Sequence, residues 1–322
     1  MKKALIVGIN NYPDSSKLFC CENDAKAMAN ILEFNEDGSK NFDIQLETNI
    51  NTKGELTKKI KLLFSGEADV ALFYFSGHGF FDDGGGVIVT PDYSECDMGV
   101  LMEQILGFAN ESKCKNKIII LDCCYSGNMG LSKITGNQSI IAEGVTILTA
   151  SSPIESSFEI GEHGVFTALL LSALKGEAAN ILGKITPGSV YSYVDQALGA
   201  WNQRPIFKTN ISKFISIRDV EPRIKISDLK QIENYFKSSS GEYNLDPSYE
   251  FTNSKTVKHI VKEPYANDEH VKVFKNLQRL ERIGLIEPVD EEHMYFAAIN
   301  SKSCRLTPLG QYYWKLINDK RI

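Results

Sequence analysis

Lys117-Ile118-Ile119-Ile120-Leu121-Asp122-Cys123-Cys124-Tyr125-Ser126-Gly127 begins as a run of isoleucine and leucine and stops abruptly at an acid, two thiols and a glycine. A β-branched run this short reads as a buried strand rather than a helix. Open α/β sheets place their sites at the carboxyl ends of such strands, where side chains meet in a crevice. Val70-Ala71-Leu72-Phe73-Tyr74-Phe75, followed by Ser76-Gly77-His78-Gly79, has the same design. One strand ends in a histidine between glycines and the other in a cysteine pair. Parallel neighbours lie about 4.8 Å apart, so if the two strands are adjacent, His78 and Cys124 face each other across one cleft. A cysteine becomes a nucleophile when a base takes its proton. The glycines alongside let backbone amides approach a substrate and form an oxyanion hole. Taken singly, a buried small thiol and a satisfied loop histidine explain these residues equally well; finding both strand ends in one chain favours the chemistry.

Outward from these strands the pattern alternates. Lys2–Ile9 reads as a first strand, and Cys21–Leu32 as a helix with apolar residues at Ala25, Met28, Ala29 and Leu32 and with Asn23 or Asp24 as its N-terminal cap. Phe42–Leu46 is a short strand and Thr52–Phe64 a second amphipathic helix. A hairpin or ribbon around Asp82–Pro91, a helix over Val100–Asn110 and a polar loop over Gly127–Gly144 follow. Gly144–Ala150 is the next buried strand. Helices over Val165–Lys175 and Ser189–Gly199 precede one or two strand segments in Ile206–Ile217. Strands alternating with helices of this length imply an α/β fold with a doubly wound, mostly parallel sheet of six strands.

The composition bounds the function. The chain has 322 residues, 43% of them apolar, enough for one large domain and a smaller one. Its net charge of −6 argues against a general nucleic-acid surface. No apolar run approaches the roughly 18 residues needed to span a bilayer. Asn10-Asn11-Tyr12-Pro13-Asp14 is no cleavage site for an export signal, so seven mostly unspaced cysteines point to reduced thiols in a cytoplasm rather than a disulfide framework. No Cys-x-x-Cys occurs, and the acidic turn Asp82-Asp83 reads as a turn; no metal and no cofactor are expected. A cysteine phosphatase needs an arginine shortly after its thiolate, and none lies between Asp122 and Gly144.

Tyr74-Phe75-Ser76-Gly77-His78-Gly79 together with Asp122-Cys123-Cys124-Tyr125-Ser126-Gly127 resembles the caspase-like cysteine peptidases, especially the metacaspases and their bacterial relatives. Cys21-Glu22-Asn23-Asp24-Ala25, Ala150-Ser151-Ser152-Pro153, His163-Gly164-Val165-Phe166-Thr167 and Gln203-Arg204-Pro205-Ile206-Phe207 resemble further family stretches, in the family's order, over about residues 1–217. The resemblance implies His78 as general base, Cys124 rather than Cys123 as nucleophile, and the amides of Gly79 and Cys124 as oxyanion donors. It also implies a substrate pocket at Cys21, Asp24, Ser76 and Asp122, with Ser151 among the substrate-binding residues. Two carboxylates there suit a substrate Arg or Lys, because a buried cation needs opposite charge. An aspartate-cleaving enzyme would need arginines, and these motifs hold none. Metacaspases commonly have histidine where Tyr125 stands, which places the chain with the broader bacterial group. Lys133 reads either as a self-cleavage site or as an ordinary exposed lysine, and Glu155, Glu159 and Glu162 as a cleft rim or as solvated charges.

Around Asp219–Pro222 the pattern changes, which divides the chain into a peptidase-like domain over 1–219 and a regulatory or sensor domain over 220–322. Residues 221–322 hold 16 Lys+Arg and 15 Asp+Glu and are nearly neutral. A helix over Val271–Leu280, short strands at Leu285–Pro288 and Tyr295–Ile299, and a closing helix with Thr307 as cap and Pro308 at its first position resemble a winged helix. An acidic wing at Asp290-Glu291-Glu292 speaks against DNA. A docking or sensing module is expected instead, responding to an activating protein or an anionic nucleotide signal. Tyr235, Tyr243, Tyr249 and Tyr265 either line a pocket for such a signal or are scattered core and surface residues. By analogy with the settings of bacterial caspase-like proteases, the whole resembles an antiviral-defence or cell-death effector. The competing reading is a catalytically silent scaffold whose winged helix binds DNA or a partner protein.

Overall fold

The computed structural model describes residues 1–13, 16–82, 85–123, 140–150, 159–160, 162–198, 205–213, 215–256, 258 and 260–322. The chain forms two compact units, Met1–Glu221 and Pro222–Ile322.

The first unit opens with β1 (Lys2–Gly8), α1 (Cys21–Glu33), β2 (Asp43–Glu47), α2 (Lys53–Phe64) and β3 (Val70–Ser76). An antiparallel ribbon follows, made of β4 (Gly79–Asp82), β5 (Gly85–Ser94) and β6 (Asp97–Leu101), and leads into α3 (Met102–Asn110). Next come β7 (Asn116–Asp122), β8 (Val145–Thr149) and the short pair β9 (Glu159–Ile160) and β10 (His163–Gly164). The unit closes through α4 (Val165–Ser172), β11 (Lys184–Ile185), α5 (Pro187–Leu198), β12 (Ile206–Asn210) and β13 (Arg218–Asp219).

Six strands make the central sheet in the order β12-β8-β7-β3-β1-β2. Five of them are parallel, and β12 runs antiparallel at the edge beside β8. This is the doubly wound, mostly parallel α/β sheet of six strands that the alternating pattern implies. Every residue of β3 is buried, as a central strand covered on both faces requires.

Alternate residues of the strands feed two separate cores. Leu5, Val7, Phe73, Phe75, Ile119 and Leu121 pack with α2 and α3. Ala4, Ile6, Leu72, Tyr74, Ile118 and Ile120 pack with α1 and α4 on the opposite face.

Helix α1 starts differently from its local pattern. Cys20 precedes it without a side-chain capping bond, and Asp24 lies buried inside the first turn instead of capping it. A cap contributes about 1 kcal/mol, whereas burying Met28 and Leu32 against the sheet contributes about 2 kcal/mol each, so packing decides where this helix begins. Gly8 lets it come close, since a Cβ there would lie 2.1 Å from the Cys21 carbonyl oxygen.

The second unit contains α6 (Ile226–Lys230), α7 (Ile232–Tyr235), β14 (Glu242–Asn244), α8 (Asp268–Arg282), β15 (Ile286–Pro288), α9 (Met294–Ile299), β16 (Ser303–Leu306) and α10 (Pro308–Asn318). Its three strands form an antiparallel sheet in the order β14-β16-β15. The stretch Tyr295–Ile299, expected as a strand, is helix α9. Met294, Ala297 and Ala298 are buried at helical spacing there, and the strand that pairs with β15 comes later, at Ser303–Leu306. Asp290-Glu291-Glu292 therefore precedes a helix instead of tipping a hairpin. Helix α10 starts with Thr307 accepting from the Gly310 amide, with Pro308 in the first turn. Tyr235, Tyr243 and Tyr249 pack edge to face, with Tyr249 stacked on His270 at 4.3 Å. Tyr265 lies apart from them under the Lys255 ammonium.

Candidate active site

The carboxyl ends of β1, β3 and β7 stop in line. Gly8 pairs with Ser76, and Ser76 pairs with Asp122. Two residues beyond Ser76 stands His78, and its ring is held by main-chain and phenol atoms. Nε2 lies 2.6 Å from the Ser16 carbonyl oxygen. A carbonyl only accepts, so in the neutral imidazole Nε2 carries the proton and Nδ1 the lone pair. The Tyr12 ring meets the imidazole edge-on at 4.6 Å. The Tyr12 hydroxyl accepts from the His78 amide at 3.1 Å and donates to the Val89 carbonyl at 3.3 Å. Burial pushes the Tyr12 phenol upward, so it stays a neutral donor. The Val89 amide in turn donates to the His78 carbonyl. Gly77 makes room for this packing, because a Cβ there would lie 2.6 Å from the Tyr12 hydroxyl and 2.7 Å from the Phe75 ring. Gly79 begins the ribbon opposite Ile88.

Cys123 is buried in the core shared with α2 and α3. Cys124 and Ser151 lie outside the described residues, as do Tyr125, Lys133, Glu155 and Asp83. Glu162 is exposed.

On the α1 and α4 side of the same strand ends the groups are acidic. Asp24 is only 1% exposed. Its Oδ2 accepts from the Ser76 hydroxyl at 3.3 Å, and its Oδ1 lies 2.8 Å from His163 Nδ1. Burial raises its pKa, and the bonds from His163, Gly164 and Ser76 pull the other way.

Asp122 Oδ2 accepts from the Thr167 hydroxyl at 2.6 Å, and Tyr74 stands behind Thr167 at 2.5 Å. Loss of solvent pushes Asp122 up to about 7; Thr167 opposes the shift, and the like charge of Asp24 adds to it. Cys21 is buried beside this pair and its thiol is pushed up to about 12, first by burial. It is thus a neutral wall at ordinary pH. Ser76 is buried too.

The structure therefore brings Cys21, Asp24, Ser76 and Asp122 together. It also adds His163, Gly164 and Thr167, which carry no site role in the sequence reading although their motif is visible there. Among the described residues no three His, Cys, Asp or Glu side chains converge as a metal site, and no helix is long and apolar enough to cross a membrane.

A cluster of two carboxylates at the ends of these strands can bind a cation, and an imidazole whose Nε2 is bonded to a carbonyl can take a proton at Nδ1. The family model for the caspase domain matches residues 1–216. A search of curated proteins gives no match. Among solved structures, the crystal structure of caspase-1 from Spodoptera frugiperda is similar to this chain, with a TM-score of 0.49 and 15% sequence identity, covering 68% of this chain and 92% of that one.

Proposed function

Since the chain belongs to the caspase-domain family of cysteine peptidases, we propose that it is an endopeptidase that cleaves proteins after Arg or Lys through a dyad of His78 and Cys124. The observation that carries the specificity is the pair of buried Asp24 and half-buried Asp122, both hydrogen-bonded and both facing the space at Gly164. A substrate cation entering there meets two carboxylates in a site of low dielectric, where opposite charge attracts most strongly.

The chemistry follows from the Nδ1 lone pair. His78 takes the Cys124 thiol proton, and the thiolate attacks the scissile carbonyl carbon. The amides of Gly79 and Cys124 donate to the oxyanion. The tetrahedral intermediate collapses as the imidazolium protonates the leaving amine, leaving a thioester. His78 then takes a proton from water, whose oxygen displaces the thiolate. Ser16 and Tyr12 keep the ring in the tautomer this sequence needs.

The second unit, winged-helix-like in this reading, gates the protease in the cytoplasm in response to an activating protein or an anionic nucleotide. The protein acts as an effector of antiviral defence or cell death. A basic stretch of α8 formed by Lys275, Arg279 and Arg282 supports an anionic signal, and the family's usual settings support the gating.

Recombinant protein is to be assayed on matched fluorogenic peptides ending in Arg, Lys or Asp, with and without nucleotide activators. Cleavage after Arg and Lys but not Asp, abolished in Cys124→Ala, is the expected result. Cleavage after Asp, or activity that survives Cys124→Ala, overturns the proposal.

A further inference from the structure

Gly164 has φ −61° and ψ 145°, a backbone conformation any residue adopts, so conformational freedom does not call for glycine there. Space does. A Cβ built on Gly164 would lie 3.5 Å from Asp122 Oδ2 and 3.6 Å from Asp24 Oδ2. Both carboxylates thus face the same small gap, and an alanine methyl would just touch them while any longer side chain would enter it.

The segment around this glycine also fixes the carboxylates. His163 Nδ1 holds Asp24 Oδ1, and the Gly164 amide bonds the same carboxylate. The Thr167 hydroxyl and amide hold Asp122. Thr167 donates its hydroxyl hydrogen to Asp122, so the buried Tyr74 hydroxyl donates to Thr167 and locks its rotor.

We propose that His163–Thr167 forms a third wall of the acidic pocket, with Gly164 as the gap that admits a guanidinium between the carboxylates and His163 and Thr167 as positioning residues that make the pocket prefer Arg over Lys. The inference rests on the reading of Asp24 and Asp122 as substrate-binding. Hydrogen bonds from a guanidinium reach about 2.8 Å from each nitrogen, and its planar fork can engage two fixed carboxylates at once. A lysine ammonium is a point charge on a flexible stem, and it gains less from two acceptors held at set angles.

Matched Arg and Lys peptides, assayed with wild type, Gly164→Ala, Gly164→Leu, His163→Ala, Thr167→Val and Thr167→Ser, test this. Alkylation of Cys124 by iodoacetamide, read by mass spectrometry, reports in parallel on fold and nucleophile without using the pocket. Gly164→Leu is expected to lose about 100-fold in kcat/KM for Arg, mostly through KM, with alkylation unchanged. Gly164→Ala, whose methyl would only touch the carboxylates, should lose less than Gly164→Leu on the same peptide. His163→Ala and Thr167→Val should lower the Arg-to-Lys preference about tenfold, and Thr167→Ser should restore it. Normal Arg cleavage by Gly164→Leu, or equal losses on Arg and Lys in His163→Ala and Thr167→Val, overturns the third wall alone. A wild type that alkylates at Cys124 yet cleaves neither peptide defeats the substrate reading itself, and the wall with it.

Discussion

His78 and the Asp24–Asp122 pair sit at the ends of the same strands, yet they are held in opposite ways. The histidine is oriented by a carbonyl oxygen and by a phenol whose hydroxyl accepts from its own amide, neither of them charged. The carboxylates, Asp24 buried and Asp122 half-buried, are held by His163, Ser76 and Thr167. A base that must gain and lose a proton in each turnover needs a fixed direction and little electrostatic bias. A pocket that selects a cation gains from burying charge, because its attraction is then unscreened. Two cores on the two faces of the sheet allow both designs within a few residues of each other.

If that division holds, mutations on the two sides should fail differently. The largest effect belongs to the histidine: His78→Ala should lower kcat about 1000-fold on Arg and Lys peptides alike, with KM nearly unchanged. A matching rise in KM would show that the base also binds substrate, and the division would collapse. Next comes Asp122→Asn, which should cut kcat/KM for Arg about 100-fold while iodoacetamide still alkylates Cys124 at close to the wild-type rate. Loss of alkylation would mean that this carboxylate serves the nucleophile as well.

The smallest effect is on stability. The folded pKa of Asp122, about 7, lies above the unfolded value of about 3.9, so between those values the native state holds the extra proton. The stability this contributes is full below about pH 4 and is lost as pH rises through about 7. Asp24 shifts in the same direction. The difference in Tm between wild type and Asp122→Asn should therefore fall, to the disadvantage of wild type, from pH 4 to pH 7.5, and a bound Arg-based inhibitor should reverse that trend. A flat difference curve would place the charge in solvent and weaken the contrast between the two sides.

The part of the fold made by short apolar runs ending at glycine was legible in the sequence, because a central strand leaves that mark wherever it is buried. The strand ends carrying His78 and Asp122 were legible for the same reason. Asp24 was not legible locally. By its neighbours it looks like a helix cap, and its burial depends on Ser76 and His163, which lie 52 and 139 residues away. His163 in β10 and Thr167 in α4 stand four apart, a spacing open to many uses until their carboxylate partners are in place. Helix α9 escaped for a different reason. Tyr295 and Phe296 favour strands by composition, and only the burial of Met294, Ala297 and Ala298 on one side reveals the helix.

The carbonyl of Ser16 has a consequence for how this protein tolerates genetic change. The atom that orients the imidazole belongs to the main chain, so nearly every substitution at position 16 leaves the acceptor in place. Side-chain scanning will score the position as silent although turnover depends on it. Its importance emerges only when the loop is lengthened, shortened or re-routed. Insertions and deletions in this loop, more than point mutations, are the changes expected to turn the imidazole away from its working orientation.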